Sequence, residues 1–152
     1  MSEINCGPFG VYNMLNQVLT VEGRRVFGFA EGDDVIDIED RADLGDPVEG
    51  ADGTALLSVS AVNAVTVTIK LQWHSPWNKF FAQKAKRMKG GDTGAGIRFP
   101  VTFLDTQTGE QGNCTQAVLM KRPNRQRGAK PGEMEWAIYC PCWLDSDVNY
   151  GG

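Results

Sequence analysis

The stretch Val65-Thr66-Val67-Thr68-Ile69-Lys70-Leu71-Gln72 alternates strictly between apolar and polar side chains. Successive side chains of a β-strand point to opposite faces, so a strand here carries four aliphatic residues on one face and four polar residues on the other. This pattern is typical of an antiparallel strand that packs on the core with one face and meets water with the other. The stretch therefore predicts a half-buried strand in a mainly β protein.

A helix is predicted directly after this strand, over about residues 75–89. Ser75 is a good N-cap, and Pro76 suits the first helical position. Lysine and arginine are concentrated in the last turns, where cations favour the helix dipole, and Gly90-Gly91 ends the element. One face carries apolar residues at helical spacing, which we expect to pack on the core: Trp77, Phe80, Phe81, Ala85 and Met88.

The part of the chain before the quoted strand also has the character of β structure. Residues 1–16 contain Gly7-Pro8 and Gly10 and show no helical period, which predicts an extended N-terminal arm. Residues 17–22 and 24–29 predict a hairpin around Gly23. Residues 34–40 predict a further strand, with its two isoleucines on one face.

The remaining segments complete the predicted architecture. Residues 44–53 predict a turn-rich connection, and residues 55–62 predict the hairpin partner of the quoted strand, paired around Asn63. Later strands are predicted over residues 97–104, 115–121 and 133–144. We therefore expect one domain over residues 17–152, a β-sandwich or barrel with a single flanking helix.

The residues for enzymatic chemistry are sparse. The chain has 152 residues, a formal net charge of −4 and a single histidine, His74, which leaves no multi-histidine metal site. No phosphate-binding or nucleophile motif is present. Carboxylates between residues 31 and 52 could hold Ca²⁺ or form a glycosidase pair, but they match no specific motif. We expect no catalytic residue, cofactor or metal, no secretory signal and no membrane-spanning segment.

Charge is distributed very unevenly along the chain. Residues 31–52 contain ten acidic residues and one base, Arg41, whereas residues 79–130 contain eleven bases and three acids. Solvated faces that compensate each other within one subunit would explain this layout. Complementary ends on a subunit that associates head to tail would explain it as well, and such contacts close into rings or continue as filaments.

Three segments resemble a known family. The run Val48-Glu49-Gly50-Ala51-Asp52-Gly53, the quoted strand and Ser75-Pro76-Trp77-Asn78 at the helix start are similar to phage tail tube proteins from contractile-tailed phages. The acidic strand Asp34-Val35-Ile36-Asp37-Ile38-Glu39 precedes them at a similar distance. The resemblance extends over residues 17–144. The four cysteines and the basic loop over residues 122–130 depart from the family pattern.

The resemblance implies a virion protein of the tail that is assembled in the host cytoplasm. Hexameric rings would join their inner sheets into one barrel and stack into a tube. Its partners would be further copies of itself, the sheath, the tape measure protein, the baseplate hub and the tail terminator, and DNA would pass through the lumen without specific binding. A tail terminator or the tube of a phage-like contractile injection system is the alternative, and a small β-rich enzyme or binding module is a further one.

Site residues follow from the requirement that DNA pass freely. Carboxylates repel phosphates, so we expect lumen-facing residues among the acidic candidates Asp33, Asp34, Asp37, Glu39 and Asp40. Basic residues should face away from the lumen, toward the next ring or the sheath: Lys86, Arg87, Lys89, Arg122, Arg125 and Arg127.

The four cysteines have two interpretations. Free thiols in a reducing cytosol are the simpler one, because four scattered cysteines do not make a disulfide framework for a domain of this size. A virion meets oxidising conditions, however, and a disulfide between neighbouring subunits is a second hypothesis. Its candidates are Cys6, Cys114, Cys140 and Cys142, with Cys6 or Cys114 as the residue that pairs.

Overall fold

The computed structural model describes residues 13–32, 34–125, 128–129 and 132–145, and it shows a mainly β protein with one α-helix. The predicted N-terminal arm therefore lies mostly outside the described residues. Its last part, Met14–Asn16, forms one turn of 3-10 helix. The strands are β1 Gln17–Val21, β2 Arg24–Arg25, β3 Ile36–Asp40, β4 Gly45–Glu49, β5 Ala55–Val59, β6 Val65–Gln72, β7 Phe99–Asp105, β8 Gln111–Lys121, β9 Glu133–Cys140 and β10 Leu144–Asp145, and the helix α1 is Trp77–Lys89.

Strand β8 joins two layers of sheet. Its first part pairs with β7, up to the pair of Ala117 with Phe99, and its last part, residues 118–121, pairs with β9. The strand order is β2-β1-β7-β8-β9-β6-β3, and β10 also pairs with β8. Residues from both halves of this order share one buried cluster with α1. The fold is therefore a β-sandwich closed on one side by a helix, as the sequence predicts.

The quoted strand is β6, and its alternation is confirmed. Val65, Val67, Ile69 and Leu71 are buried, and the residues between them are half-buried. Its predicted partner was wrong, because β6 pairs with β3 and β9 rather than with residues 55–62. The alternation fixes which face of a strand is buried, but it contains no information about which strand lies beside it.

A second hairpin replaces the predicted connection over residues 44–53. Strand β4 pairs with β5 in register from Gly45 with Val59 to Glu49 with Ala55. The prediction missed β4 because Gly45, Asp46 and Pro47 are poor strand formers. Proline is tolerated in this place because a two-stranded hairpin consists only of edge strands.

The start of α1 differs in detail from the prediction. Pro76 is the N-cap, and Ser75 is buried with its hydroxyl donating to the Phe27 carbonyl oxygen at 2.8 Å. The serine therefore fastens the helix to the segment after β2 instead of capping the helix. Gly28 lies against it with a φ of +83°, and a Cβ on Gly28 would lie 2.8 Å from the Ser75 side chain.

Asn78 ties the first turn of α1 to two strands. Its side-chain amide nitrogen donates to the Gln72 carbonyl oxygen at 2.8 Å and to the Trp73 carbonyl oxygen at 3.1 Å. Its amide oxygen accepts from the buried Trp136 indole nitrogen at 2.9 Å. One side chain thus holds the end of β6, the helix and β9 together.

The apolar face of α1 lies on the core. Trp77, Phe81 and Ala85 are buried, whereas Phe80 and Met88 are partly buried and packed against the same cluster. The Phe81 ring centroid lies 5.5 Å from that of Trp136 and 6.0 Å from that of Phe99. These aromatic contacts fix the helix against both layers of the sandwich.

The hairpin turn predicted around Gly23 is present, although its second strand, β2, ends at Arg25 instead of residue 29. Glu22 and Gly23 both have positive φ between β1 and β2, which is the two-residue turn that suits twisted strands. In the turn between β7 and β8, the Asp105 carboxylate accepts from the backbone nitrogen of Gln107 at 2.9 Å. The pKa of Asp105 is lowered by a hydrogen bond from the Gln17 side chain and by the backbone N–H groups of this turn.

Candidate functional site

The outer face of the four strands β3, β6, β9 and β8 is polar and rich in carboxylates. Asp37 pairs with Thr68 and Glu39 with Thr66, so both acids lie on the face opposite the buried residues of β6. Two further strand positions on this face carry Glu133 and Glu135 of β9, which pair with Gln72 and Lys70. Asp34 joins them through an ion pair with Lys70 at 3.0 Å. The face therefore combines acids from two segments that are far apart in the sequence.

Two cations moderate the charge of this face. The pKa of Lys70 is raised by its hydrogen bond to Asp34 and by the charges of Glu135 and Glu133. Arg41 donates to the Thr66 hydroxyl at 3.0 Å, and its guanidinium lies 5.4 Å from the Tyr139 ring centroid. Five carboxylates (Asp34, Asp37, Glu39, Glu133 and Glu135) thus share the face with Lys70 and Arg41.

The five acidic candidates for the lumen do not all lie on the same face of the sheet. Asp37 and Glu39 share the outer face, and Asp34 lies beside Lys70. Asp40 alternates to the other face and is exposed at the end of β3, whereas Asp33 lies outside the described residues. Sequence reasoning missed Glu133 and Glu135, although their alternation at the start of β9 places them on one face.

The four-stranded layer has two open edges in the described part of the chain. One is β3, the last strand in the order, and the other is residues 118–121 of β8, beyond the last pair with β7. The Lys70 nitrogen donates to the Val35 oxygen and the Arg41 nitrogen to the Ala64 oxygen, so odd-numbered residues of β3 bond to β6. The backbone N–H groups of Ile36, Ile38 and Asp40 therefore point away from β6, toward the open edge.

The two open edges differ in charge. β3 carries Asp37, Glu39 and Asp40, and β8 ends in Lys121 followed by Arg122. All neighbouring strands in this layer are antiparallel, so β3 and β8 run in opposite directions. Copies related by rotation about a common axis can therefore continue the antiparallel order from one β3 to the next β8.

A groove of about 410 Å³ lies between the end of α1 and the open end of β8. Its lining combines four apolar residues with three basic ones: Ala85, Met88, Leu119 and Met120, with Lys89, Lys121 and Arg122. The structure thus brings together two of the predicted basic residues, Lys89 and Arg122, which are far apart in sequence.

The other basic candidates lie elsewhere. Lys86 and Arg87 line a second concave surface of about 580 Å³ with Phe80, Gln83 and Lys84. Arg87 donates to the Gly96 carbonyl oxygen at 3.3 Å. Arg125 is exposed in the loop after β8, and Arg127 lies outside the described residues.

The hairpin β4–β5 is the most exposed apolar part of the described chain. Val48, Leu56, Leu57 and Val59 are between 57% and 79% exposed, and Leu44 just before the hairpin is 85% exposed. Scattered exposed apolar residues are ordinary, but a contiguous group of this size marks an interaction surface. Sequence reasoning missed this surface because it assigned residues 44–53 to a connection.

The described cysteines differ in accessibility. Cys114 and Cys140 are buried, whereas Cys142 is exposed in the turn after β9, so Cys140 and Cys142 do not share a strand face. Burial raises the pKa of the Cys140 thiol, with the neighbouring Cys114 contributing. A cross-link between subunits through either buried thiol would require the core to open. Cys142 meets no such barrier, and Cys6 lies outside the described residues.

The structure also places the single histidine and the potential metal ligands of the described residues. No group of three or more histidine, cysteine, aspartate or glutamate side chains among them is placed to hold a metal ion. His74 is exposed at the turn between β6 and α1. Across the same residues, no helix has the length and apolar character needed to cross a bilayer.

Known proteins resemble this chain in sequence and in fold. The family described as Bacteriophage PhiTE tail tube protein matches residues 17–145. None of the curated proteins matches the sequence.

Three solved structures share the fold. The anti-feeding prophage tube-terminating cap is 8% identical, with a TM-score of 0.57, and covers 94% of this chain and 95% of its own. The sheath/tube terminator of the extracellular contractile injection system PVC in its extended state is 11% identical, with a TM-score of 0.56 and coverage of 93% and 98%. The PVC sheath-tube complex contains a chain that is 11% identical, with a TM-score of 0.58 and coverage of 93% of both chains.

Proposed function

Because the chain belongs to the bacteriophage PhiTE tail tube protein family, we propose that it forms hexameric rings that stack into the inner tube of a contractile tail. The family is one of structural tail proteins, and the protein is accordingly a component of a phage tail or a phage-like particle. In the proposal, the tube encloses the tape measure protein and later conducts DNA. The sheath surrounds it, and the baseplate hub and the tail terminator contact its ends.

The observation that carries the proposal is the four-stranded layer with two open, oppositely charged edges. An unpaired edge exposes backbone N–H and C=O groups and promotes association with other strands. Joining the acidic β3 of one subunit to the basic end of β8 of the next would satisfy both edges. Repetition around an axis closes the layers into a barrel that has no open edge.

The polar face of this layer is its outer face only within the subunit, where it points away from the core. In the closed barrel this face would line the lumen. Asp37, Glu39, Glu133 and Glu135 would present carboxylates to passing DNA, with Lys70 and Arg41 partly neutralising them. DNA phosphates and carboxylates repel each other, so the wall would not retain the DNA. No part of this role requires a catalytic residue or a cofactor, and we propose that the protein is not an enzyme.

Electron microscopy of the purified protein at high concentration tests the proposal directly. Long hollow tubes are expected, and reconstruction should place Asp37, Glu39 and Glu135 on the inner wall. A protein that stays monomeric, both alone and with its phage partners, would refute the proposal. An inner wall dominated by lysine and arginine would refute the lumen assignment.

A matched pair of variants tests the edge contact. Asp40→Pro removes a backbone N–H that points to the open edge, and Asp40→Ala removes the same carboxylate but keeps that N–H. The alanine variant should therefore form rings, whereas the proline variant should not. Equal assembly of the two variants would exclude β3 as the joining edge.

A tail terminator is the second candidate, because a tube-terminating cap and a sheath/tube terminator share this fold. A terminator ends a tube, so its purified form should stop at single rings. A tube protein should instead polymerise to lengths of many rings. The length distribution in the same micrographs separates the two roles.

A further inference from the structure

The hairpin β4–β5 is apolar on both of its faces. Directly paired residues share a face, so Val48 lies with Leu56 on one side and Pro47 lies with Leu57 on the other. All four are exposed to solvent. An isolated two-stranded hairpin is only marginally stable in water, so this one needs a surface that its own subunit does not supply.

The hairpin segment is also uniformly acidic. Residues 42–59 contain four carboxylates and no base: Asp43, Asp46, Glu49 and Asp52. Arg41, the nearest base in sequence, is held on the outer sheet face by Thr66 and Tyr139. A partner surface that suits the hairpin is therefore apolar and carries positive charge at its rim.

The groove between α1 and β8 has these properties. Ala85, Met88 and Leu119 provide apolar surface, and Met120 beside them is 48% exposed. Lys89, Lys121 and Arg122 complete the lining, which contains no acidic residue. The hairpin of the same subunit does not fill this groove, because its apolar side chains remain exposed.

We propose that the hairpin β4–β5 of one subunit docks into the α1–β8 groove of a second copy. This inference rests on the proposed self-assembly and adds the pair of surfaces that makes one of its contacts. Hairpin and groove are different surfaces, so the contact is heterologous: each subunit offers a hairpin to one neighbour and a groove to another. Such a contact propagates through many copies instead of ending at a dimer.

Charge reversal on each side tests the pairing. The hairpin variant carries Asp46→Lys and Glu49→Lys, and the groove variant carries Lys89→Glu and Arg122→Glu, which lie outside β8 and leave Lys121 at the joining edge unchanged. All four residues are exposed, so the monomer should fold normally, which circular dichroism and thermal unfolding can verify. Lys79→Glu, exposed on α1 and outside the groove lining, is the control.

Tube formation is measured as the pelleted fraction against protein concentration, with electron microscopy of the pellets. Each reversed variant alone places like charges together, and we expect it to need a roughly tenfold or higher concentration to form tubes. Mixing the two variants restores both opposite-charge contacts, lysine hairpin in glutamate groove and native hairpin in native groove. The mixture should therefore form tubes near the wild-type concentration.

The outcomes separate this inference from the proposed function. If wild type and the control form tubes and the hairpin variant does so equally well, the docking proposal is wrong and the tube proposal stands. If both variants fail and their mixture also fails, the pairing of hairpin with groove is wrong. A wild-type protein that forms no tubes overturns the tube proposal and the docking proposal together.

Discussion

Replacement of Asn78 by alanine should destabilise the fold through three lost hydrogen bonds. The amide of Asn78 donates to the carbonyl oxygens of Gln72 and Trp73 and accepts from the indole nitrogen of Trp136. Trp136 is only 2% exposed, so water cannot replace the lost acceptor without disrupting the core.

The expected magnitude follows from these contacts. A net loss of about 1 kcal/mol per hydrogen bond, with about 1–3 kcal/mol for a buried donor left unpaired, gives roughly 3 kcal/mol for Asn78→Ala. At about 2–4 °C per kcal/mol for a chain of this size, the melting temperature should fall by roughly 6–12 °C. Gln83→Ala, exposed on the same helix, should change stability by no more than about 0.5 kcal/mol.

Urea unfolding followed by tryptophan fluorescence measures the difference. The protein should be kept below the concentration at which it assembles, because association stabilises the folded subunit by mass action. Asn78→Asp keeps the acceptor for Trp136 but turns a carboxylate toward two carbonyl oxygens, so it should also destabilise. A free energy of unfolding for Asn78→Ala within about 0.5 kcal/mol of wild type would refute the assigned role of Asn78.

Three further predictions concern the turns and the thiols. Gly28→Ala should destabilise more than Gly23→Ala, since both have positive φ but only Gly28 has a side chain within 4 Å of the new Cβ, and thermal unfolding of the two variants measures the difference. The lowered pKa of Asp105 means that its stabilising contribution is present above its unfolded pKa, near 3.8, and is lost as pH falls through its folded pKa. The stability gap between wild type and Asp105→Asn should therefore narrow in urea titrations at acidic pH, and a constant gap would contradict this. Alkylation of the native protein should modify Cys142 rapidly and the two buried thiols only after unfolding, as read by mass spectrometry of peptides.

The mainly β architecture was predictable because the sequence patterns that indicate it are local. Alternation in β6 and the 3.6-residue period in α1 each depend on neighbouring residues along the chain, and both elements are present. The turn at Glu22-Gly23 was also predictable, because a glycine between two short predicted strands is typical of a tight hairpin. The similarity of residues 48–78 to tail tube proteins was also visible in the sequence, and the family match covers residues 17–145.

Strand partners were not predictable, because pairing is a relation between distant segments. The prediction placed residues 55–62 beside β6 since they are close in sequence, but β6 gains its neighbours from β3 and β9. Residues 55–59 form β5 and pair with β4 instead, and this pairing forms the exposed apolar hairpin. The candidate docking surface therefore lies in the part of the chain whose strand pairing local sequence patterns predicted least accurately.

The composition of the candidate lumen shows the same division. The sequence by itself determined that Asp37 and Glu39 share one face of an acidic strand, because side chains alternate along any strand. Only the tertiary structure decided that Glu133 and Glu135 join them, that Asp40 does not, and that Cys114 and Cys140 are enclosed in the core. A local period fixes the direction of a side chain within its own strand, whereas the packing of strands far apart in sequence decides which other residues share its surface.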